Sequence, residues 1–295
     1  KNMGFKFKTG GIGLRNINIA EEQGHLIGIM GASGAGKTTL LNVLCGNEKP
    51  SEGEVLINGL NLHTQSEELE GVIGLIPQDD LLIEELTVYQ NLYYNAKLCF
   101  KDKSEEEIDK MVCKTLTDLG LYERRNLPVG TPLNKMISGG QRKRLNIALE
   151  LIREPGVLFV DEPTSGLSSR DSENVMNLLR ELSLKGKLIF VVIHQPSSDI
   201  YKMFDKMFIL DTGGYPVYYG TPIESISYFK KQDEQKDAEH GECPSCGNLN
   251  PELVFDILED NVKDEYGNYK HERRVKPDTW HEKFKQNIEN LFNMF

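Results

Sequence analysis

Four segments of this 295-residue chain are apolar almost throughout, and they constrain its fold more than any other feature. They span residues 25–30, 72–76, 157–160 and 188–193, with longer segments of other character between them. Short strands that are apolar on both faces are typical of a parallel sheet that helices cover on both sides. The pattern therefore predicts an α/β fold around a central parallel sheet.

Other segments extend and interrupt this predicted sheet. Shorter β-rich segments between turns are also predicted as strands: 5–8, 14–19, 54–57, 207–210 and 215–219. Residues 86–152 have helical periodicity, including a helix over 104–119 that begins with a Ser104 capping pattern. We therefore expect an antiparallel β subdomain near the N-terminus and an inserted α-helical subdomain over about 86–152. The main domain is predicted over 1–230, and a polar C-terminal extension over 231–295.

Composition narrows the class of protein. The formal net charge is −11, which disfavours non-specific binding to nucleic-acid phosphates, so no nucleic-acid partner is expected. No apolar run approaches the roughly 20 residues of a membrane-spanning helix, and the first residues lack the apolar stretch of a signal peptide. The 5 cysteines do not resemble a secreted disulfide framework, which favours a reducing, cytosol-facing setting. Because the chain begins with Lys1, we expect either an excised part of a longer protein or a cleaved tag.

A glycine-rich segment follows the first apolar run and precedes a helical segment over 39–45. Its sequence, GASGAGKT, matches the phosphate-binding pattern G-x-x-x-x-G-K-[ST]. Glycines allow consecutive backbone N–H groups to surround an anion, and the following helix adds its positive end. We expect Lys37 to contact the β- and γ-phosphates of a nucleotide and the Thr38 hydroxyl to bind Mg²⁺. The predicted nucleotide-binding residues of this segment are Gly31, Ala32, Ser33, Gly34, Ala35, Gly36, Lys37, Thr38 and Thr39.

The apolar run over 157–160 ends in two carboxylates, Asp161 and Glu162. The carboxyl ends of parallel strands form the edge where α/β proteins bind ligands, so both side chains are expected near the glycine-rich segment. We expect Asp161 to hold Mg²⁺, directly or through water, and Glu162 to polarise an attacking water as a general base. An apolar strand that ends in Asp-Glu is common, so this assignment depends on its pairing with the phosphate-binding pattern.

Residues 137–144, ISGGQRKR, combine helix capping with two glycines. Ser138 and Gln141 have the spacing of a capping box for a helix that extends to about residue 152. Capping does not account for Gly139 and Gly140, because glycine in a helix costs up to about 1 kcal/mol relative to alanine. Two glycines leave the first backbone amides of the helix accessible, which predicts a second anion site.

These segments together resemble the motifs of ABC transporter nucleotide-binding domains. Residues 31–38 resemble the Walker A motif, residues 137–144 resemble the signature motif, and residues 161–167 resemble Walker B followed by the D-loop. The resemblance covers residues 5 to about 230, and the order of the motifs makes it specific. It implies a P-loop NTPase (RecA-like) core that binds ATP with Mg²⁺ and hydrolyses the ATP.

Some residues obtain a role from this resemblance alone. Gln78 stands at the position of the Q-loop glutamine, and His194 follows an apolar strand where the family has its switch histidine. The family stacks adenine on an aromatic ring near the N-terminus, for which Phe7 is preferred over Phe5. The catalytic residues that the resemblance implies are Glu162, His194 and Gln78, and the implied Mg²⁺ ligands are Thr38, Gln78 and Asp161.

Finer details are similar to the G subfamily of White-type half-transporters. They are the sequence SGGQRKR followed by NIALELI, the segment HQPSS that begins at His194, and the Asn-Pro-Glu that begins at Asn250. That subfamily joins the nucleotide-binding domain to a membrane domain in one polypeptide. The resemblance therefore implies a transmembrane-domain partner, a location at the cytoplasmic face of a membrane, and transport that is mostly export. One residue departs from the family pattern: Ser168 stands where the D-loop usually has Asp.

The glycine-rich segment and the signature segment of one chain cannot easily converge on the same nucleotide. The resemblance implies a head-to-tail pair, a homodimer or a heterodimer, that closes around ATP. In that pair, residues of one domain contact the γ-phosphate held by the other: Ser138, Gly139, Gly140 and Gln141. Two alternatives are a non-transport ABC-type ATPase, disfavoured by the acidic charge and the lack of coiled-coil insertions, and a regulatory nucleotide-binding module, indicated only by Ser168.

Two features of the C-terminal extension remain outside these roles. His240, Cys243 and Cys246 have a spacing that could bind zinc, with His271 as a fourth ligand, or form a redox pair, but a plain loop is the favoured interpretation. A helix with a capping box is predicted to begin at Thr279 and to reach the C-terminus with one apolar face. That face is expected either to pack on the domain or to lie along a membrane surface.

Overall fold

The computed structural model describes residues 1–131, 134, 136–233, 240–243, 245–263 and 269–292. The strands in this part of the chain are β1 (Met3–Lys6), β2 (Ile12–Ile17), β3 (Leu26–Gly31), β4 (Leu56–Ile57), β5 (Leu60–Asn61), β6 (Ile73–Ile76), β7 (Val157–Asp161), β8 (Leu188–Val192), β9 (Lys206–Asp211), β10 (Tyr215–Gly220), β11 (Asn261–Lys263) and β12 (Tyr269–Arg273). The helices are α1 (Lys37–Leu44), α2 (Val88–Cys99), α3 (Glu105–Asp118), α4 (Gly139–Leu151), α5 (Ser169–Leu184), α6 (Ser198–Lys202), α7 (Pro222–Gln232), α8 (Glu252–Leu258) and α9 (Pro277–Phe292).

The central sheet has six strands in the order β10–β9–β3–β8–β7–β6. Neighbouring strands pair in parallel, except that β10 runs antiparallel to β9 at one edge. Apolar clusters pack on both faces of the sheet, which explains why its inner strands are apolar almost throughout. The predicted α/β class and the four buried strands are confirmed.

The antiparallel segments near the N-terminus form two small pairs, β1 with β2 and β4 with β5. The single strand predicted over 54–57 is wrong in its extent, because only Leu56 and Ile57 are extended and the chain then reverses. Asn58 and Gly59 make that reversal with φ angles of 52° and 82°. Two consecutive left-handed residues favour a tight two-residue hairpin, and Asn-Gly is the sequence that adopts it most readily.

Helices α2, α3 and α4 share an apolar cluster of their own within the predicted helical segment. Thr87, Ser104 and Ser138 begin these helices with complete capping boxes, in which the side chain of the third helical residue bonds back to the cap. The Ser104 and Ser138 capping patterns are therefore confirmed. The division into residues 1–230 and 231–295 stays a prediction.

The C-terminal segment packs on the main apolar cluster through α8 and α9. Val254 and Trp280 are buried in that cluster, and Phe284 is 7% exposed. The predicted start of the last helix at Thr279 is wrong: α9 begins at Pro277, which suits the first turn because it needs no N–H partner there. Within the described ranges, no helix is both long and apolar enough to cross a bilayer.

Candidate functional site

The glycine-rich loop connects β3 to α1 at the carboxyl edge of the sheet. Gly36 is the N-cap of α1 with a φ of 97°, and no side chain caps this helix. A Cβ atom on Gly36 would lie 2.7 Å from the carbonyl oxygen of Gly13, so a larger residue is excluded there. The uncapped N–H groups of the first turn are left to bind an anion.

Lys37 supplies a buried cation to this loop. Its side-chain Nζ donates hydrogen bonds to the carbonyl oxygens of Gly31 and Ala32 at 2.8 and 2.9 Å. Burial lowers the pKa of Lys37, and the negative charges of Glu162 and Asp161 oppose that shift. The two carbonyl groups therefore hold the ammonium group in place near the two carboxylates.

A cleft of about 390 Å³ joins the loop to the other predicted site residues. Its lining residues are Phe7, Ile12, Gly13, Ser33, Gly34, Gly36, Lys37, Thr38, Thr39, Glu162, His194 and Gly213. Phe7 is 44% exposed at this cleft, whereas Phe5 is 8% exposed and belongs to the core. Of the two rings, only Phe7 offers a face to a ligand in this cleft.

Two consecutive carboxylates end β7 beside the cleft. Burial, followed by the charge of Glu162, raises the pKa of Asp161, and Lys143 and Lys37 oppose that shift. Such a pair of adjacent carboxylates, with the Thr38 hydroxyl exposed in the same cleft, fits a divalent cation with oxygen ligands. Glu162 has a φ of 41°, a costly conformation for a non-glycine residue that is concentrated at functional sites. The Nε2 atom of Gln78 donates to Glu162 Oε2 at 3.1 Å.

His194 follows β8, the strand that pairs with β7, and lines the same cleft as Glu162. Its ring stacks with that of Phe255 in α8, with centroids 6.4 Å apart and planes inclined by 14°. The charge of Glu259, the residue that ends α8, also opposes the lowering of the Lys37 pKa by burial. The approach of α8 to the cleft was not predictable from local sequence pattern, because this contact joins residues about sixty positions apart.

The signature segment lies outside this cleft. Ser138 Oγ accepts from the backbone N–H of Gln141 at 3.2 Å, and Gln141 Oε1 accepts from the backbone N–H of Ser138 at 2.9 Å. A Cβ atom on Gly140 would lie 2.5 Å from a carboxylate oxygen of Asp171 in α5, so a larger residue there would displace the Asp171 side chain. Ser168 caps α5, because its Oγ accepts from the N–H of Asp171 at 3.2 Å.

Two buried cations of α4, Arg142 and Lys143, bind the segment that contains Gln78, and we call this connection the strut. No role was predicted for either side chain from the sequence. Arg142 binds both carboxylate oxygens of Asp80, at 2.9 Å from Nε and 3.1 Å from Nη2. Lys143 Nζ donates to the carbonyl oxygens of Pro77 and Gln78 at 3.3 and 2.8 Å. These bonds join positions more than sixty residues apart. The charges of Arg142, Lys143 and Asp80 are visible in the sequence, but their pairing is not.

The residues whose spacing could bind zinc, His240, Cys243 and Cys246, lie in a loop before α8. Among the described residues, no group of three or more His, Cys, Asp or Glu side chains is arranged to hold a metal ion. The side chain of His271 lies outside the described part of the chain.

A protein-family model described as "ABC transporter" matches residues 14–165. "ABC-type transporter claG" of Penicillium crustosum is 40% identical over 208 residues, which are 70% of this chain and 28% of that protein. "ABC transporter G family member 25" of Oryza sativa subsp. japonica is 42% identical over 210 residues, 70% of this chain and 21% of that protein. The chain therefore spans about a fifth to a quarter of the length of these relatives.

Solved structures are similar along most of the chain. cbiO1 from Clostridium perfringens, part of the ABC transporter complex cbiONQ, superposes with a TM-score of 0.68 at 27% identity and covers 80% of this chain and 94% of its own. The dimeric post-hydrolysis state of the ATP-binding cassette MJ0796, bound to ADP and Pi, has a TM-score of 0.63 at 30% identity. The match covers 75% of this chain and 97% of that one.

Proposed function

The chain belongs to the ABC transporter family, and from this premise we propose that its ATP-binding domain hydrolyses ATP to power transport, in the export direction, across a membrane. The observation that carries the proposal is the convergence of the glycine-rich loop, Glu162 and His194 on one cleft. These parts come from three separate segments of the chain. Packing alone gives no reason for a loop amide cluster, a carboxylate and an imidazole to share one cleft.

The cleft suits a nucleoside triphosphate with Mg²⁺. We propose that the Phe7 ring stacks on the adenine and that the loop amides and Lys37 hold the phosphates. The oxygen atoms of Thr38, Gln78 and Asp161 are the proposed Mg²⁺ ligands, in agreement with the raised pKa of Asp161, since a cation would favour its ionised form. When bound, Mg²⁺ would neutralise phosphate charge.

Glu162 is the proposed general base for hydrolysis. Its carboxylate lies in the cleft and accepts a hydrogen bond from Gln78, which orients it toward the site where the γ-phosphate and water would meet. Glu162 takes a proton as the water oxygen attacks the γ-phosphorus, and ADP leaves with the bridging oxygen. His194 donates to the γ-phosphate and steadies it.

The second anion site is proposed to act in a partner domain. Ser138 and Gln141 begin α4 and do not line the cleft that contains Lys37, which supports a role at the nucleotide of a second domain. A head-to-tail dimer would bring residues 138–141 of each domain to the γ-phosphate of the other. ATP then favours the closed pair because both surfaces bind it, and hydrolysis releases the pair. The similar MJ0796 cassette, which is dimeric, supports this arrangement.

The transmembrane partner is proposed to contact an exposed apolar patch beside the Gln78 segment. Leu81 and Ile83 are 65% and 54% exposed, and the backbone N–H of Ile83 donates to Asn91 of α2 at 2.8 Å. Tyr94 and Leu98, four residues apart on α2, are 49% and 77% exposed. Exposed apolar side chains that cluster on a surface mark interaction sites. With this contact, the domain would lie at the cytoplasmic face of a membrane.

The variant Glu162→Gln tests the proposed hydrolysis. We expect ATP binding to be retained and turnover to fall by about 10²–10⁴-fold, the usual contribution of a general base. Phosphate release and nucleotide binding would be measured on the purified chain. Glu181→Gln, on the exposed face of α5, is the matched control and should leave turnover unchanged. Turnover of Glu162→Gln within a few-fold of the unmodified chain would contradict the assignment.

A further inference from the structure

Two cysteine thiols in the loop before α8 take no part in the proposed nucleotide chemistry. Cys243 and Cys246 are both exposed, and the structure pairs neither of them in a disulfide. The other three cysteines, Cys45, Cys99 and Cys113, are half-buried within helices or at a helix end. The chain thus contains one accessible pair of thiols, and the three half-buried thiols can serve as internal controls in experiments on that pair.

A closed turn holds the two exposed thiols together. The backbone N–H of Gly247 donates to Cys243 O at 2.8 Å, and the N–H of Cys243 donates to Asn248 O at 2.9 Å. Cys243 Sγ and Ser245 Oγ lie 3.1 Å apart, and the thiol of Cys246 also hydrogen-bonds to Cys243. These bonds favour the thiolate and lower the pKa of Cys243 to about 6. Burial instead raises the pKa of Cys45, at the end of α1, and of Cys113 in α3.

The turn is fastened to the segment that follows His194. The backbone N–H of Leu249 donates to Ser198 Oγ at 2.9 Å. Lys202 Nζ donates to the carbonyl oxygen of Gly247 and lies 3.4 Å from the Glu242 carboxylate. In the described part of the chain, the charged side chains that contact this turn include one cation and one anion, which pair with each other. Both ends of the turn are held, so the two thiols stay adjacent.

We propose that Cys243 and Cys246 form a redox-active dithiol that exchanges with small-molecule disulfides. The Cys243 thiolate attacks one sulfur of the disulfide, a mixed disulfide forms, and one thiolate leaves. The Cys246 thiol then loses its proton and attacks Cys243 Sγ, which closes the internal disulfide and releases the second thiol. The two electrons of the protein dithiol thus reduce the small disulfide to two thiols.

The spacing supports the assignment of these two roles. Cys243 is the attacking residue because hydrogen bonds to its sulfur from Ser245 and Cys246 stabilise the thiolate, which is the reactive form. Cys246, three positions along the chain, is the resolving residue that attacks the mixed disulfide on Cys243. Exposed thiols with a neighbouring resolving cysteine are the ones that undergo reversible oxidation in reducing compartments.

The experiment uses the intact chain and oxidised glutathione. At pH 6 we expect iodoacetamide to alkylate Cys243 at least about tenfold faster than Cys45 and Cys113 in the same molecules, since a larger thiolate fraction outweighs a weaker nucleophile. After treatment with oxidised glutathione, peptide mass spectrometry should find the internal disulfide. Ser245→Ala should slow the alkylation of Cys243 at pH 6.

Two exposed-site variants separate the steps. Cys246→Ser should accumulate glutathione on Cys243, because the resolving thiol is missing, and Cys243→Ser should leave Cys246 without a rapid adduct. Alkylation of Cys243 no faster than that of Cys113, or an unmodified loop after oxidation in the native chain, would overturn the proposal. The readout is thiol mass and not nucleotide turnover, so its failure leaves the proposed ATPase function untouched.

Discussion

The substitution Asp80→Asn removes the negative charge that Arg142 binds in the strut and keeps a side chain of the same size. In the native chain the Arg142 side chain is 7% exposed, and it binds Asp80 through two parallel hydrogen bonds of 2.9 and 3.1 Å. Arg142 keeps its bond to the carbonyl oxygen of Gly130 in the variant. The substitution therefore leaves a buried guanidinium with neutral partners only.

The expected cost follows from this geometry. Breaking a fully buried ion pair costs about 3–5 kcal/mol, and losing a hydrogen bond to a charged group costs about 1.5–3 kcal/mol. The Asp80 side chain is 28% exposed and Arg142 retains carbonyl partners, so we expect the lower range, about 1.5–3 kcal/mol. For a chain of this size, that free energy corresponds to a Tm lower by roughly 2–5 °C.

Urea and thermal unfolding of the purified chain would measure the difference. Asp79→Asn is the matched control, because Asp79 is an exposed carboxylate one position away. It should unfold within about 0.5 kcal/mol of the native chain, as surface substitutions usually do. If both variants have equal stability, Arg142 does not depend on Asp80, and the strut does not hold the Gln78 segment against α4.

Three further substitutions have distinct expected outcomes. Ser138→Arg in the Glu162→Gln background should keep nucleotide binding and lose ATP-dependent dimers, which size-exclusion chromatography would detect; dimers that persist would contradict the head-to-tail arrangement. Phe255→Leu should lower kcat several-fold with little change in KM, because His194 loses its stacking ring. Phe255→Tyr, which keeps a ring, should have the kcat of the native chain. If Phe255→Leu lowers kcat by the same factor when His194 is already replaced by Ala, the Phe255 ring does not act through His194. Glu150→Gln should raise the free energy of unfolding at pH 8 and not below about pH 4. Burial raises the folded-state pKa of Glu150 above its unfolded value, so the native chain loses stability as pH rises through that interval; equal stability of the two proteins at pH 8 would refute this.

Local chemistry made much of the fold predictable from the sequence. The buried strands and the Ser104 and Ser138 caps follow from side-chain pattern over a few residues, and each lies within a residue or two of its predicted place. Where the prediction for a strand was wrong, at 54–57, the deciding signal was the Asn58-Gly59 turn, which is equally local. The assignment of catalytic and nucleotide-binding roles to particular residues stays a prediction.

The interactions between distant segments were not predictable in this way. The contact of Phe255 with His194 and the pairing of Arg142 with Asp80 depend on how α8 and α4 dock on the sheet. A charged or aromatic residue in the sequence does not specify its partner among many others. Only the folded arrangement selects Asp80 in place of the neighbouring Asp79.

The close approach of Asp171 to Gly140 has a consequence for how this protein can change. The beginnings of α4 and α5 are interlocked, with a carboxylate occupying the space of the missing Cβ atom. The two helix ends cannot come closer unless the Asp171 side chain moves aside. Because residues in contact have coupled effects on stability, variants of Gly140 and Asp171 should be non-additive.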